Sequence, residues 1–87
     1  MHAVVVRVNI KDTQGAEERL RNEVVPRASQ SPGFVAGYWT RSGKEGLSMI
    51  VCESEDAARQ MADRIPQGVP QGVELQDIEV RQVVANA

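Results

Sequence analysis

Two β-strand patterns joined by a Gly-containing turn, with a helix pattern on each side, constrain the fold of this chain more than any other feature. They occupy residues 32–52, PGFVAGYWTRSGKEGLSMIVC, which also hold the only three aromatic residues. Alternating side chains predict strands over residues 34–41 and 46–53, joined by the four residues Ser42-Gly43-Lys44-Glu45. The stretch therefore predicts a β-hairpin in the middle of the sequence.

The residues before the hairpin predict a strand followed by a helix. In residues 3–10, AVVVRVNI, one face is wholly apolar and the other becomes polar toward its end, which is typical of a strand. Asp12 and Thr13 are suited to cap a helix. An apolar stripe then recurs every four residues, at Ala16, Leu20, Val24 and Ala28. Pro26 must kink this helix or end it near Val24, and the continuing stripe favours a kink.

The residues after the hairpin predict a second helix and a last strand. Ser54 is suited to cap the helix, and Pro66 ends it. Its buried face is predicted from helical spacing to contain Ala58, Met61, Ala62 and Ile65. Residues 66–73, PQGVPQGV, resemble a duplicated loop. In residues 73–84 the apolar positions change parity, so either a bulge near Gln76-Asp77 reconciles them or the two halves face different partners.

The predicted order of elements is β-α-β-β-α-β within one domain, residues 1–87. This order predicts an α+β, ferredoxin-like fold, with a four-stranded antiparallel sheet and both helices on one face. The other face carries Val5 and part of the hairpin and needs cover as well. A chain of 87 residues also buries only a small core of its own. Both arguments predict a homodimer.

Composition and charge argue against several partners and locations. Ten basic and twelve acidic residues give a net charge of −2 with mixed signs, so we expect no nucleic-acid partner. No apolar run is long enough to span a membrane, and the N-terminal residues do not resemble a signal peptide. The lone Cys52 fits a reducing compartment, and we expect a cytoplasmic protein. His2, without an Asp or Cys partner, predicts neither a triad nor a metal site.

The chain resembles a known superfamily at several structural motifs. Pro32-Gly33-Phe34, the hairpin, and residues 53–57, ESEDA, are similar to those of the dimeric α/β-barrel superfamily. Within it, the chain most resembles the antibiotic biosynthesis monooxygenases, a branch with many uncharacterised small bacterial members. The resemblance covers nearly the whole chain and implies a dimeric α/β barrel. Its motifs make a turn and cap a helix, so they carry no chemistry themselves.

The resemblance implies several activities, because fold alone does not determine function. The superfamily includes cofactor-free monooxygenases of phenols and quinols, haem-degrading enzymes and isomerases. Haem-degrading members use an Asn on the first strand and a Trp and a His on the second helix. Here Asn9 is near the first position, but the second helix, SEDAARQMADRI, has neither Trp nor His. The monooxygenases use an Asn, a Trp and an Arg around a pocket, for which Asn9, Trp39 and Arg41 are the loose candidates. No cofactor is expected.

Trp39 and Arg41 share one face of the first hairpin strand, and Arg7 is expected to approach them across the sheet. They would form an aromatic wall and a cation for a phenolate or carboxylate ligand, or else a dimer interface with Arg41 at its rim. The interface is the preferred interpretation, because Trp and Arg are enriched in such surfaces.

Tyr38 and Phe34 are predicted on the opposite face of that strand. If this face meets the helices, Tyr38 with Met49 and Met61 would line an apolar pocket, although ordinary core packing is the preferred interpretation.

Two classes of function therefore remain open from the sequence. One is a cofactor-independent monooxygenase-like enzyme acting on a small aromatic substrate. The other is a non-catalytic homodimer that binds a ligand or a partner protein. An enzyme requires a pocket of roughly 300 Å³ or more with a few convergent polar groups, whereas an interaction module would have a filled core.

Overall fold

A computed structural model describes residues 1–87 and shows the predicted order of elements. The strands are β1 (His2–Ile10), β2 (Phe34–Ser42), β3 (Glu45–Cys52) and β4 (Val73–Gln82), and the helices are α1 (Thr13–Arg19), α2 (Val25–Ser29) and α3 (Glu55–Arg64). A π-helical turn (Leu20–Val24) joins α1 to α2, and a 3₁₀ turn (Ile65–Gln67) extends α3. All strand pairs are antiparallel, in the order β2-β3-β1-β4. The fold is α+β and ferredoxin-like, as predicted.

Both helices begin at the predicted capping residues. The Asp12 carboxylate accepts a hydrogen bond from the Gly15 N–H at 3.2 Å, and the Ser54 hydroxyl accepts one from the Ala57 N–H at 3.1 Å. Each cap satisfies a donor that has no partner within the helix, and replacing either residue by Ala would cost about 1 kcal/mol. The caps therefore set where the chain leaves β1 and β3 to cross the sheet.

The first helical segment continues through Pro26 by way of the π-helical turn. In that turn the Val25 N–H donates to the Leu20 carbonyl, one residue further back than in an α-helix. Pro26 follows within the first turn of α2, where its missing N–H removes the least hydrogen bonding. The prediction that the helix passes beyond Pro26 is confirmed, and a widened turn accommodates the proline.

The parity change in the last strand comes from a β-bulge, one of the two alternatives that the sequence left open. Arg7 of β1 pairs with Asp77, but the next residue, Val8, pairs with Leu75, so Gln76 is the extra residue. Leu75 and Ile78 consequently face the same side of the sheet, where both pack against the core. The bulge near Gln76-Asp77 is thus confirmed.

A second bulge, in β2, corrects the predicted faces of the hairpin. Phe34 pairs with Cys52 and Ala36 pairs with Val51, which leaves Val35 as the extra residue. Phe34 and Trp39 therefore lie on the same face rather than on opposite faces. Strict alternation along β2 could not anticipate this, because one inserted residue reverses the side of every residue that follows.

The core lies between the sheet and α3 and is small. Six buried side chains form it: Val4, Val6, Ile50, Cys52, Ala58 and Met61. Only 11 of the 87 residues are buried, and all of them are apolar or glycine. The opposite surface of the sheet, which we call the outer face, has no helix over it. No helix in the structure is long and apolar enough to cross a membrane.

Candidate functional site

A cavity of about 510 Å³ lies between the sheet and the helices. Its floor is the helix-facing side of the sheet, one wall is the first helical segment, and the other is the end of α3 with the loop that follows it. Apolar side chains from all three parts line it, among them Val8, Leu20, Val24, Trp39, Met61 and Val69. The volume falls within the range of small-molecule sites. The cavity is therefore the candidate functional site.

The cavity exists because several facing positions carry small side chains. On β3 the helix-facing residues after the hairpin turn are Gly46 and Ser48, and the first helical segment opposite them presents Ala16 and Ala28. A Cβ atom on Gly46 would lie 2.6 Å from a methyl group of Val8, so the sheet has no room for a larger residue there. The apolar stripe predicted for the first helix thus lines a cavity instead of filling a core.

Trp39 and Arg41 both line this cavity, on the helix-facing side of β2. Trp39 also packs against the core, with its ring beside Gly37 and Phe34. The preferred interpretation of Trp39 as an anchor of a dimer interface stays a prediction, but the bulge at Val35 places Trp39 on the helix-facing side of β2 and not on the outer face. The alternative, an aromatic wall with a cation in a pocket, agrees with the geometry.

Arg41 is held in the cavity by Glu17 of α1. The Arg41 Nε donates to Glu17 Oε1 at 2.8 Å, and the Arg41 Nη1 donates to the Gly43 carbonyl at 3.0 Å. Arg21 approaches the other Glu17 oxygen at 3.9 Å. Glu17 is the only carboxylate that lines the cavity. No local sequence pattern indicates this contact, since Glu17 and Arg41 are 24 residues apart in the chain.

Several other predicted site residues lie outside the cavity. Tyr38 and Met49 are paired neighbours on the outer face, with exposed fractions of 68% and 46%. Asn9 and Arg7 alternate with the cavity-lining residues of β1 and so also point to the outer face. Of the predicted group Tyr38, Met49 and Met61, only Met61 lines the cavity, because Tyr38 and its partner Met49 share the outer face of the hairpin. Arg7, predicted to approach both Trp39 and Arg41, lies on the opposite face of the sheet from Trp39 but lines a small surface pocket together with Arg41.

The reactive residue types lie away from the cavity. Cys52 is fully buried in the core, and this burial raises the pKa of its thiol, so it packs as a small apolar side chain. His2 lies near Glu55, with His2 Nε2 4.0 Å from a carboxylate oxygen. No group of three or more His, Cys, Asp and Glu side chains is placed to hold a metal ion.

The π-helical turn contributes part of the cavity wall. Leu20, Arg21 and Val24, three of its five residues, line the cavity. π-Turns within helices occur frequently at functional sites, because the extra residue changes which side chains point inward. The sequence contained a signal for this feature in Pro26, which interrupts an otherwise continuous helical stripe.

Part of the duplicated loop, residues 66–73, also lines the cavity. Gly68, Val69 and Pro70 line the cavity, and the loop is tied to α1 by a hydrogen bond of 2.6 Å from Arg19 Nη1 to the Gln71 carbonyl. Its backbone is held further by the Lys11 N–H, which donates to the Gly72 carbonyl at 2.7 Å. The sequence marked this loop as unusual but gave no indication that it closes one side of a pocket.

The fold and site define a small α+β protein with a ferredoxin-like sheet and an apolar, arginine-bearing cavity under its helices. No protein-family model matches this chain, and no curated protein matches it. The geometry of the cavity and of the outer face must therefore support any proposal on function.

Proposed function

We propose that this protein is a homodimeric small-molecule-binding protein of the dimeric α/β-barrel type, which holds a small aromatic ligand in the cavity between sheet and helices. The cavity of about 510 Å³ is the observation that carries the proposal. A protein that served only as an interaction module would gain stability by filling this space with larger side chains. Trp39 offers an aromatic surface for a ring, and apolar side chains surround it.

The outer face supports the homodimer. Val35, Tyr38, Leu47 and Met49 are exposed large hydrophobic residues on β2 and β3, with exposed fractions of 41 to 68%. Clustered apolar side chains on an open sheet are commonly covered by another layer. A second copy of the same face provides such a layer with matching shape and no further component.

Binding is tested by titrating the protein with a panel of phenols and quinols while Trp39 fluorescence is recorded. Trp39 is the only Trp and lines the cavity, so we expect a saturable change in its emission. Ser48→Leu fills part of the cavity and should weaken binding by about tenfold or more, the effect of altering a pocket by a few methylene groups. Gln60→Leu, on the exposed side of α3, is the matched control and should bind normally. If Ser48→Leu binds as the wild type does, the cavity is not the site.

A second candidate function is a cofactor-independent oxygenase, favoured by the Trp39, Arg41 and Glu17 side chains that line the same cavity. A bound phenol would give its proton to the Glu17 carboxylate, and the Arg41 guanidinium would stabilise the phenolate. Molecular oxygen would be the oxidant, with one oxygen atom entering the ring to give a quinone and the other leaving as water. Asn9 has no part in this arrangement.

Oxygen uptake recorded in the same titrations separates this function from simple binding. An oxygenase would consume oxygen in the presence of a subset of the phenols. The Glu17→Gln variant would then have a lower rate of oxygen uptake while still binding its ligands. Binding without uptake would leave a ligand-binding protein and remove the oxygenase.

A further inference from the structure

The residues that line the cavity carry an excess of positive charge, although most of them are apolar. Four arginines line it, Arg21, Arg27, Arg41 and Arg64, against the single carboxylate of Glu17. The whole chain, by contrast, has a net charge of −2. Half of the eight arginines of an acidic protein are thus gathered around one cavity.

The four arginines fall into two pairs with different partners. Arg41 and Arg21 share Glu17, at 2.8 and 3.9 Å. The guanidinium groups of Arg27 and Arg64 take part in none of the ion pairs and donate none of the side-chain hydrogen bonds of the structure. Their guanidinium donors are therefore free for a ligand.

Arg27 and Arg64 line the cavity from its two walls, and the Arg27 guanidinium lies beside the turn that follows Arg64 in the chain. Arg27 is on α2, and its Nη1 lies 2.8 Å from the position that a Cβ on Gly68 would occupy. Gly68 follows Arg64 by four residues, at the end of the 3₁₀ turn. The missing side chain at Gly68 leaves room for the Arg27 guanidinium beside the end of α3.

The side chains of Arg27 and Arg64 are both exposed, so water solvates their guanidinium groups when no ligand is bound. Both lie in the last turn of their helices, where the helix dipole favours positive charge. The nearest acidic residues in sequence, Glu23 and Asp63, do not line the cavity. The cavity thus combines an apolar body with two guanidinium groups, one on each wall, that have no carboxylate partner.

We propose that the ligand of this cavity is an amphipathic carboxylate, whose apolar part lies along Trp39 and whose carboxylate is held by Arg27 and Arg64. The inference rests on the proposed function and specifies the class of its ligand. Guanidinium groups bind carboxylates through paired, charge-assisted hydrogen bonds, which are stronger than bonds between neutral groups. A bound anion also offsets the positive charge of the lining.

The test compares matched ligands that differ only in charge. Equilibrium dialysis measures binding of 2-naphthoate and dodecanoate, each beside its neutral primary amide, to the wild type and to Arg27→Gln/Arg64→Gln. We expect each carboxylate to bind the wild type about tenfold to a hundredfold more tightly than its amide, as charge-assisted hydrogen bonds imply. In the double variant this preference should disappear while amide binding is unchanged.

Arg59→Gln is the control variant, because Arg59 is on α3 like Arg64 but pairs with Glu55 and does not line the cavity. It should keep the preference for the carboxylate. Equal binding of carboxylate and amide to the wild type would overturn this inference and leave the proposed function standing. A preference that survives in the double variant would overturn the assignment to Arg27 and Arg64. Binding of neither ligand would overturn both proposals.

Discussion

Single glycines determine how closely the elements around the core approach one another. Gly33, before β2, has a φ of +80°, and a Cβ there would lie 2.7 Å from the Cβ of Ala57 on α3. Its carbonyl accepts a hydrogen bond from the Glu53 N–H at 2.8 Å, which ties the start of β2 to the end of β3. The turn residue Gly43 also has a positive φ, of +60°, but nothing lies within 4 Å of its Cβ position. Substitutions at these two glycines therefore distinguish the cost of a positive φ, which both positions have, from the cost of a steric clash, which only Gly33 has.

Gly33→Ala is expected to lower the free energy of unfolding by about 3 kcal/mol, since it adds a clash with Ala57 to the strain of a positive φ. Gly43→Ala, which adds the strain alone, should cost about 1 kcal/mol. Urea unfolding followed by circular dichroism measures both values. Equal losses in the two variants would show that α3 can move away from Gly33 without cost.

At the scale of elements, two β-bulges bring apolar residues of opposite parity to the same face. Gln76 in β4 and Val35 in β2 are the extra residues. Without the bulge in β2, Trp39 and Arg41 would point away from the helices, and the cavity would lose its aromatic wall. A bulge also increases the local twist of a strand, which suits positions at the two edges of the sheet.

Deletion of Gln76 should be tolerated, because Leu75 and Asp77 then pair with Val8 and Arg7 in regular alternation. We expect a loss of about 1 kcal/mol or less in the free energy of unfolding, from the change in twist. Deletion of Glu79 is the matched control. This deletion turns either Val80 or the residues before position 79 to the other face of the sheet. Apolar side chains then leave the core, so we expect a loss of about 3 kcal/mol or more in the free energy of unfolding.

Thermal unfolding of the two deletion variants measures this difference. A deletion of Gln76 as costly as that of Glu79 would mean that the bulge is itself needed for the fold. The bulge would then stabilise the fold in some way besides placing Leu75 and Ile78 on the same face of the sheet.

At the scale of the whole molecule, little apolar area is buried. The helices cover only one face of the sheet, and a cavity lies between the sheet and the helices. Only Val4 and Cys52 are fully buried among the larger side chains, while Tyr38, Leu47 and Met49 are exposed on the outer face. A domain this small is marginally stable unless another source adds buried area. The proposed dimer supplies that area and leaves the cavity, on the opposite side of the sheet, open to a ligand.

Met49→Lys is expected to convert the proposed dimer into a monomer, since it places a charge in the middle of the outer face. Sedimentation velocity should show the mass of two chains for the wild type and of one chain for the variant at micromolar concentration. Gln60→Lys adds the same charge on the exposed side of α3 and should remain a dimer. A wild type that sediments as a single chain would contradict the homodimer directly.

Local patterns in the sequence determined the elements and their order. Asp12 and Ser54 cap their helices through neighbours three residues away, and the alternating strands needed only local spacing to be recognised. The parity change in residues 73–84 even indicated the bulge at Gln76, because apolar residues on both sides of it require one face. These features are local in the chain, so a single sequence contains the information for them.

Tertiary structure alone decided the site. The bulge at Val35 leaves no mark on the hydrophobic pattern, because both faces of β2 carry apolar residues, and so the side of Trp39 could not be read from alternation. The cavity depends on which small residues of β3 and the first helical segment face one another across the layers. The contact of Glu17 with Arg41 joins residues 24 positions apart. Such contacts arise only when the helices pack on the sheet, and the register of that packing is not encoded in any local pattern.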